Sequence, residues 1–372
     1  MRVTIVSKAC VVGAYQTKLE AIAAHDDIEL TAIVPPYWRE GRHRIELERA
    51  HVSGYELIVA PAAFNGAYHC HWYPGLRGLL RASRPDLVHI DEEPYNLATY
   101  QALRASEAIG ARSIFFTWQN IARRYPPPFR WLEKSVYAGV HGALAGNADA
   151  VSVLRAKGYK GPVRVVPQFG VDAERFSPAP CTEEEPPQRP FTIGYAGRLV
   201  KEKGLLVLIE ALAGLEGEWR AKIYGSGPFR QQLERAIEAA GLSERIEIYD
   251  RISSTEMPAR YRELDVLVLP SLTRPNWKEQ FGRVLIEAMA CGVPVIGSTS
   301  GEIPRVVGTA GLLFRERSSS MLRQQLADLR EDRAMRALLA LRGRERVLDY
   351  YTQTAIAKQT VEFYREVMAR RT

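Results

Sequence analysis

Cysteine is scarce in this sequence, and its cysteines are far apart. Cys10, Cys70, Cys181 and Cys291 are scattered along 372 residues, and no Cys-x-x-Cys pair occurs. This spacing favours neither a disulfide framework nor a structural zinc site, and it is typical of a chain that works in a reducing cytoplasm. No Asp-x-Asp string marks a divalent-cation site either, so we expect no metal.

Long apolar runs are missing as well. No stretch of about 18 uncharged apolar residues occurs, which argues against a transmembrane helix. The opening residues, MRVTIVSKACVVGAY, make a poor signal peptide and predict a first strand instead. The formal net charge of +7 suits an anionic small molecule, an acidic membrane surface or nucleic acid about equally, so charge does not choose between them.

Two common phosphate-binding signatures are also absent. The sequence has no G-x-x-x-x-G-K-[ST] string, and GSGPFR lacks the third glycine of a dinucleotide fingerprint. Both P-loop phosphate hydrolysis and hydride transfer are therefore disfavoured. No bound cofactor is expected.

Short β-branched runs alternate with longer amphipathic segments along most of the chain. RVTIVS, IELTAIVP, DLVHI, RSIFFT and VRVVPQ come before a proline-rich, acidic stretch, SPAPCTEEEPPQRP. FTIGYAG, AKIYGSG, RIEIYD, DVLVLPS and VPVIGS follow it. The alternation predicts parallel sheets covered by helices on both faces, and the stretch between the two sets is typical of a linker.

The expected fold class is therefore α/β, with two doubly wound, Rossmann-like domains that face each other across a cleft. We expect an N-terminal domain over 1–178, a linker over 179–190 and a second domain over 191–350. The segment 351–372 predicts a helix that packs back on the first domain. Ligands of such sheets bind beyond the carboxyl ends of the strands, so the chemistry is expected in the loops that follow strands.

Two loops of the second domain are rich in glycine. GYAGRLVKEKG, from Gly194 to Gly204, contains Arg198 and Lys203, and a second loop, GSGP, begins at Gly225. Glycine lets the backbone approach an anion closely, and the N-terminus of the next helix offers unpaired amides. Both loops suit a phosphorylated ligand, although their glycines could instead serve only tight turns.

The stretch NWKEQFGRVLIEAMACGVPVIGSTSGE holds two glutamates with seven residues between them. Glu279 is predicted in a strand-to-helix loop and Glu287 inside the helix, with Gly282 at the helix start. A carboxylate beside a phosphate site repels the phosphate but accepts hydrogen bonds from hydroxyl groups, so both are candidates to bind diols. The alternative interpretation is that Glu279 caps the helix and Glu287 is an exposed helix residue.

At these residues the sequence resembles glycosyltransferase family 4, the retaining nucleotide-sugar transferases of GT-B fold. The string from Glu279 through Glu-Ala-Met-Ala-Cys-Gly-x-Pro-Val carries the resemblance, together with GYAGRLVKEKG, IYGSGP and ELDVLVLPS. DLVHI and VVPQFGVDAERFSP extend it more weakly into the first domain. The resemblance implies metal-independent transfer of a sugar from a UDP- or GDP-sugar to an acceptor hydroxyl, in polysaccharide, glycolipid or glycoside synthesis.

The resemblance also implies that the first domain binds the acceptor and the second binds the nucleotide-sugar donor, and it implies roles for individual residues. Arg198 and Lys203 would hold the donor diphosphate, and Glu287 would bind the ribose hydroxyls. Glu279, with the amides near Phe281 and Gly282, would hold the donor sugar, by a covalent or, as we favour, a front-face mechanism. The remaining donor-binding candidates are Gly13, Gly225, Ser226, Gly227 and Arg283.

On the acceptor side the sequence departs from the family pattern. Family members often carry a histidine after the strand that here reads SIFFTWQN, where this chain has Gln119. Glutamine cannot act as a base at neutral pH, so it would orient a substrate and not transfer a proton. Asn120 and Glu92 complete the acceptor-side candidates.

Two basic and aromatic segments of the first domain could contact other partners. The segment from His69 to Arg84 could make peripheral contact with an anionic inner membrane face, whereas its His-Cys-His sequence is poor metal-ligand geometry. The segment from Ala122 to Lys134 predicts an acceptor loop better than a nucleic-acid site, and no nucleic-acid partner is expected. The alternative functions are a catalytically silent sugar-nucleotide-binding or scaffold protein, a GT-B epimerase and an α-glucan phosphorylase, which would need a cofactor lysine that we do not find.

Overall fold

A computed structural model describes residues 1–41, 43–179 and 189–370 of the chain. Residues 180–188, most of the predicted linker, lie outside the described residues. The chain divides into two compact units: Met1–Gly170 together with Gln353–Thr372, and Val171–Thr352. The predicted domain boundaries and the roles assigned to each domain stay predictions.

The strands of the described residues fall into one large sheet in each unit and one small hairpin. In chain order they are β1 (Arg2–Val6), β2 (Glu29–Val34), β3 (Tyr37–Glu40), β4 (His43–Glu46), β5 (Glu56–Val59), β6 (Leu87–Ile90), β7 (Arg112–Thr117), β8 (Gly142–Ala145), β9 (Val163–Val165), β10 (Phe191–Ala196), β11 (Trp219–Tyr224), β12 (Ile246–Tyr249), β13 (Val266–Leu269), β14 (Val295–Ser298) and β15 (Leu312–Phe314). The hairpin is the antiparallel pair β3 and β4.

Most of the helices connect one strand to the next along the chain, and the last three helices follow the final strand. In chain order they are α1 (Gly13–Ala23), α2 (Leu76–Ser83), α3 (Leu97–Glu107), α4 (Phe129–Gly139), α5 (Ala148–Ala156), α6 (Leu205–Ala213), α7 (Arg230–Ala239), α8 (Met257–Arg262), α9 (Arg283–Ala290), α10 (Ile303–Val307), α11 (Ser319–Glu331), α12 (Arg333–Tyr350) and α13 (Gln353–Ala369). Within the described part of the chain, no helix is long and apolar enough to cross a membrane.

The sheet of the first unit is parallel, in the order β5-β2-β1-β6-β7-β8-β9, and it is buried on both faces. Successive side chains of a strand point to opposite faces, and β7 shows this clearly. Ile114 and Phe116 belong to the core beneath α1 and α13, whereas Phe115 belongs to the core beneath α2, α3 and α4. A strand buried on both faces has no polar alternation, which explains the continuous apolar runs in the sequence.

Helix α13 packs against α1 and against the sheet of the first unit. Its residues Phe363 and Val367 lie so close to Gly142 of β8 that a Cβ atom there would be 2.9 Å from each side chain. On the same face, the Tyr364 hydroxyl and the Nδ1 atom of buried His89 lie 2.6 Å apart and share a hydrogen bond. The glycine that begins β8 therefore makes room for this helix.

The sheet of the second unit is also parallel, in the order β12-β11-β10-β13-β14-β15. The strand order reverses between β10 and β13, and in the first unit it reverses between β1 and β6. At such a switch point the loops that follow the two central strands diverge and leave room for a ligand. The prediction of two doubly wound parallel sheets is confirmed, whereas a cleft between them stays a prediction.

Candidate functional site

At the switch point of the second sheet, the structure brings together two residues that are 76 positions apart in sequence. The loop after β10 supplies Lys203 and the loop after β13 supplies Glu279, and Lys203 Nζ lies 2.5 Å from Glu279 Oε2. The Ser271 hydroxyl donates a second hydrogen bond to the same oxygen, at 2.7 Å. Glu279 is only 7% exposed, so these two partners offset the cost of burying its charge.

The backbone of Glu279 is fixed by the loop that follows β14. The Glu302 amide donates to the Glu279 carbonyl at 3.1 Å. Gly301 has a φ of +55°, and a Cβ atom there would lie 2.0 Å from the same carbonyl oxygen. Only glycine allows this backbone conformation and this close approach together. Glu279 is thus held through its main chain as well as its side chain.

The glycines of the second glycine-rich loop serve a similar close contact. A Cβ atom at Gly225 would lie 1.9 Å from the Gly197 carbonyl oxygen, and one at Gly227 would lie 2.3 Å from the Leu199 carbonyl oxygen. Between them, the Ser226 carbonyl accepts a hydrogen bond from the Leu199 amide at 2.9 Å. The loops after β10 and β11 therefore pack backbone against backbone. This packing agrees with the interpretation that the glycines serve tight turns, and anion binding by these glycines stays a prediction.

Arg198 occupies the first glycine-rich loop on its exposed side. Its carbonyl accepts a hydrogen bond from the Tyr195 hydroxyl at 2.9 Å, and its side chain is exposed. Lys203, in the same loop, also lies over the ring of Trp277, with its Nζ 5.3 Å from the ring centroid. The loop thus presents one exposed guanidinium and one partly buried ammonium group.

Glu287 is the fifth residue of α9 and is 9% exposed. Its Oε2 accepts a hydrogen bond from the Tyr261 hydroxyl at 2.8 Å, and its Oε1 lies 2.9 Å from Arg283 Nε. Burial raises the pKa of Glu287 above its ordinary value, and Arg283 and Tyr261 offset part of that rise. The carboxylate is held in one place, as a residue that binds hydroxyl groups needs to be.

Helix α9 begins at Gly282, which is in the left-handed conformation with φ +80°. A side chain at this position would be strained, and a Cβ atom would lie 3.0 Å from Leu269. Phe281, just before it, packs edge-on against Tyr351 with ring centroids 5.7 Å apart. The Leu285 amide already donates to the Gly282 carbonyl at 2.9 Å. Gly282 places no side chain over the first turn of α9, and anion binding by the other amides of that turn stays a prediction.

The switch point of the first sheet is built differently, around a buried carboxylate. Glu92, just after β6, is paired with Lys8, just after β1, and its Oε1 lies 3.4 Å from His71 Nε2. Asn96 donates to it as well, at 3.2 Å. Burial by itself would raise the pKa of Glu92, but Lys8 and His71 outweigh burial and lower the pKa to about 2. The structure thus encloses this predicted acceptor residue within a charged network.

The neighbouring Glu93 joins the ends of β6 and β7. Its Oε2 accepts from the Thr117 hydroxyl at 2.6 Å, and its Oε1 accepts from the Trp118 amide at 2.8 Å. Burial raises the pKa of Glu93 to about 7, although these two hydrogen bonds oppose the rise. A carboxyl group that titrates near neutrality therefore supports the loop that carries Gln119.

Gln119 is 8% exposed and lies in an aromatic setting. Its Nε2 donates to the Tyr125 hydroxyl at 3.1 Å, while its Oε1 is buried without a hydrogen-bond partner among the described residues. The rings of Tyr125 and Tyr95 are 4.1 Å apart, and His69 packs edge-on against both. Asn120, the next predicted acceptor-side residue, directly follows Gln119 in the sequence and is also buried.

Gly13 begins α1, and its amide is already bonded to a side chain of the same unit. Glu48 Oε2 accepts this hydrogen bond at 2.6 Å, and a Cβ atom at Gly13 would lie 2.7 Å from that oxygen. The predicted role of Gly13 in diphosphate binding stays a prediction. In this structure the Glu48 carboxylate occupies the N-terminus of α1.

Sequence reasoning missed several residues that complete these sites, namely Lys8, His71, Glu93, Tyr261 and Ser271. Only Lys8 had a usable signal, because it directly follows the first predicted strand. His71 lies in the segment from His69 to Arg84, and Ser271 ends the string ELDVLVLPS, but neither segment indicates the partner of its residue. The fold places all four remaining residues. Among the described residues, no group of three or more His, Cys, Asp or Glu side chains could hold a metal ion.

Comparison with known proteins covers both units. Residues 12–168 match the family described as Glycosyl transferase 4-like domain, and residues 182–346 match Glycosyl transferases group 1. The chain is 30% identical over 209 residues to the GDP-mannose-dependent alpha-(1-6)-phosphatidylinositol monomannoside mannosyltransferase of Mycobacterium tuberculosis, covering 53% of this chain and 54% of the relative. It is 29% identical over 254 residues to the 2-deoxystreptamine N-acetyl-D-glucosaminyltransferase of Streptomyces fradiae, covering 62% and 59%. The chain thus spans about half the length of the curated relatives it matches.

Solved structures resemble the whole chain. A glycosyltransferase from Rickettsia africae has a TM-score of 0.74 at 17% identity, covering all of this chain and 99% of its own. The Anabaena protein Alr3699/HepE in complex with UDP has a TM-score of 0.73 at 18% identity, covering 98% and 99%. At such low sequence identity, this likeness shows the fold alone. With family matches in both units and this likeness over its full length, the chain belongs to the glycosyltransferases of family 4 type and has the GT-B fold.

Proposed function

We propose that this protein is a retaining glycosyltransferase that moves a sugar from a nucleoside-diphosphate sugar, UDP- or GDP-linked, to an acceptor hydroxyl. The observation that carries the proposal is the Lys203–Glu279 pair at the switch point of the second sheet. One loop offers cations to a diphosphate, and the other offers a carboxylate to sugar hydroxyls. Exposed Arg198 lies in the same loop as Lys203 and adds a planar, bidentate donor.

In the proposed reaction, negative charge grows on the leaving diphosphate. Arg198, Lys203 and the first amides of α9 are the groups that would stabilise this charge, so they would lower the barrier most directly. Glu279 would position the transferred sugar through its hydroxyl groups. Glu287 would accept hydrogen bonds from the ribose, since its carboxylate is held by Arg283 on one oxygen and Tyr261 on the other.

The comparisons support both classes of donor. The mycobacterial relative is named for GDP-mannose, and the Anabaena structure is a complex with UDP. We further propose that the first unit receives the acceptor. The buried, unpartnered Gln119 Oε1 and the Tyr95–Tyr125 pair supply the polar and aromatic surfaces that carbohydrate acceptors prefer.

The proposal is tested with purified full-length protein and a panel of UDP-, GDP- and ADP-sugars. A ligand that binds only the native state raises the melting temperature, so one nucleotide class is expected to stabilise the chain above the others. The stabilising sugar nucleotide should then be hydrolysed slowly in the absence of acceptor. Stabilisation without any hydrolysis would favour a catalytically silent binding protein, and release of an epimerised sugar nucleotide would favour an epimerase.

We also propose that the first unit makes peripheral contact with the inner face of an anionic membrane. Helix α2 presents exposed Arg77 and Arg81, and two large aromatic side chains of the same unit, Phe64 and Trp131, are 70% and 62% exposed. Exposed aromatic and basic side chains together favour an acidic lipid surface. The R77Q/R81Q variant should sediment less than the wild-type chain with phosphatidylglycerol vesicles. If the wild-type chain sediments equally with phosphatidylglycerol and phosphatidylcholine vesicles, the proposal is contradicted.

A further inference from the structure

The second unit has a cavity of about 750 Å³ on the side opposite to the candidate donor site. Phe191 begins β10, Asp265 precedes β13 and Pro294 precedes β14, and all three line the cavity. The cavity therefore lies at the amino ends of the parallel strands, whereas Lys203 and Glu279 follow their carboxyl ends. A ligand bound here would not touch the donor-binding residues.

The cavity is lined by more positive than negative charge. Four arginines line it, at positions 189, 330, 333 and 336, against two carboxylates, Glu218 and Asp265, so its formal charge is +2. The guanidinium fork matches the oxygens of a phosphate group, and two unit charges match a phosphate dianion. The apolar rest of the wall includes Phe191, and a volume of this size is within the range of small-molecule sites.

Two of these arginines are already occupied by the protein. Arg189 donates to both carboxylate oxygens of Asp265, at 2.7 and 3.1 Å. Arg336 donates to carbonyls at the C-terminal end of α11, including that of Arg330 at 2.9 Å. These two side chains hold the wall of the cavity in place. Arg330, which also pairs with Glu331 at 2.8 Å, and Arg333 are the two guanidinium groups that remain for a ligand.

Arg330 is only partly satisfied. Its Nη2 donates to Glu331 at 2.8 Å, but its Nη1 is buried and has no hydrogen-bond partner among the described residues. The guanidinium lies against Gly217, where a Cβ atom would be 2.4 Å from Nη1 and where φ is +78°. A glycine thus makes room for a donor that has no partner among the described residues, and an unpaired buried donor is costly. To satisfy this donor, a ligand in the cavity would have to draw the Arg330 side chain toward it.

We propose that this cavity is a second ligand site, which binds a small phosphorylated molecule through Arg330 and Arg333. The phosphate accepts hydrogen bonds from these two guanidinium groups, and the organic part of the ligand packs against Phe191. The site is independent of the donor site, so it does not depend on the proposed glycosyl transfer. It would allow a phosphorylated metabolite to bind the second unit while a nucleotide sugar is bound.

The test counts pyrophosphate sites on the full-length chain by calorimetry. The R198A/K203A variant, which lacks the two predicted donor-site cations, should retain one site, and adding R330Q/R333Q should weaken it by about tenfold to a hundredfold. The R235Q/R323Q substitutions remove two exposed arginines of the same unit that do not line the cavity, so on the R198A/K203A chain they should leave the site intact.

Three outcomes would overturn the proposal. The first is a R198A/K203A chain that binds no pyrophosphate. The second is equal weakening by R330Q/R333Q and R235Q/R323Q, which would mean that only general charge attracts the anion. The third is displacement of pyrophosphate by phosphatidylglycerol vesicles and not by glucose 6-phosphate, which would assign the site to a lipid headgroup. Because Arg333 is exposed at the start of α12, R333Q alone keeps the test valid if R330Q fails to fold.

Discussion

The carboxyl edges of the two sheets use different means to hold their candidate functional residues. At the second sheet, glycines bring main chains into contact, as at Gly301 against Glu279 and Gly225 against Gly197. At the first sheet, side chains enclose one another, as Lys8 and His71 enclose Glu92. The second edge therefore adds backbone contacts that need glycine to its Lys203–Glu279 ion pair, whereas the first relies on contacts between charged and polar side chains.

This difference has a functional consequence. A nucleoside diphosphate presents the same phosphates whatever its sugar, and a wall of backbone amides with a few cations recognises that constant part. An acceptor differs from one transferase to another, and side chains such as Gln119 and Tyr125 can be exchanged without moving the backbone. The comparison predicts that substitutions at the second edge abolish chemistry, whereas substitutions at the first edge change stability and acceptor choice.

The largest effect is expected for Glu279→Gln. The glutamine keeps an oxygen for Ser271 but loses the charge that pairs with Lys203, so we expect turnover to fall about 100- to 1,000-fold. Nucleotide binding should survive, because the carboxylate does not contact phosphate in the proposed complex. The measurement is the rate of donor hydrolysis with saturating donor, together with the affinity for the nucleoside diphosphate.

The control for this variant is Glu210→Gln, at an exposed position of α6 in the same unit. It removes the same charge far from the switch point and should leave turnover unchanged. If the Glu279→Gln enzyme turns over at the normal rate, Glu279 is not part of the active site.

The second prediction concerns the two cations of the first glycine-rich loop. Replacing Arg198 and Lys203 by alanine removes two charge-assisted contacts to the diphosphate and leaves Glu279 without its ion-pair partner. We expect the affinity for a nucleoside diphosphate to fall about 100-fold or more, as measured by calorimetry. Lys201→Ala, an exposed lysine of the same loop, is the matched control. Unchanged affinity in the double variant would place the diphosphate elsewhere.

Much of the second edge could be predicted from sequence because its requirements are local. The start of α9 at Gly282, the loop position of Glu279 and the helical position of Glu287 all lie within one continuous stretch. The pairing of Glu279 with Lys203 could not be predicted, since it depends on β10 and β13 being neighbours in the sheet. Strand order is a property of the whole domain and has no local signal.

The elements of the first unit are harder to predict from the sequence, and β8 illustrates the physical reason. Its sequence, Gly142–Ala145, reads GALA and has no β-branched residue, so it carries no strand signal. Gly142 is required because Phe363 and Val367 of α13 lie directly against it. Packing with a helix more than 200 positions away thus overrides local propensity. In the same way, no residue close to Glu92 in the sequence indicates that His71 lies next to it in the fold.

The third prediction uses the pKa of Glu93 at the first edge. The native state holds the Glu93 proton up to a pH of about 7, whereas the unfolded chain releases it near its ordinary value of 4.5. Between these values the native state binds more protons, so the free energy of unfolding falls as pH rises. Glu93→Gln removes this dependence, and we expect the wild-type chain to lose about 3 kcal/mol relative to the variant between pH 4.5 and pH 8.

Urea unfolding of both chains across this pH range measures the difference. Glu29→Gln, an exposed position on β2 of the same unit, controls for the loss of one negative charge. Parallel stability curves for the wild type and Glu93→Gln would mean that Glu93 is ionised throughout and that its loop is held by hydrogen bonds alone.

The smallest effect is expected for Tyr261→Phe, which returns to the second edge. The substitution removes one hydrogen bond to the buried Glu287 carboxylate but leaves Arg283 in contact with the other oxygen. We expect a loss of about 1–2 kcal/mol in the free energy of unfolding at neutral pH, because one oxygen of a buried charge is left unpaired. The loss should shrink at acidic pH, where Glu287 is protonated and less dependent on a donor. Tyr249→Phe removes a chemically matched hydrogen bond to Glu247 at an exposed site of the same unit, and its cost should be near zero. Equal costs for the two variants would show that burial does not strengthen the Tyr261 contact, and Glu287 would then be held by Arg283 alone.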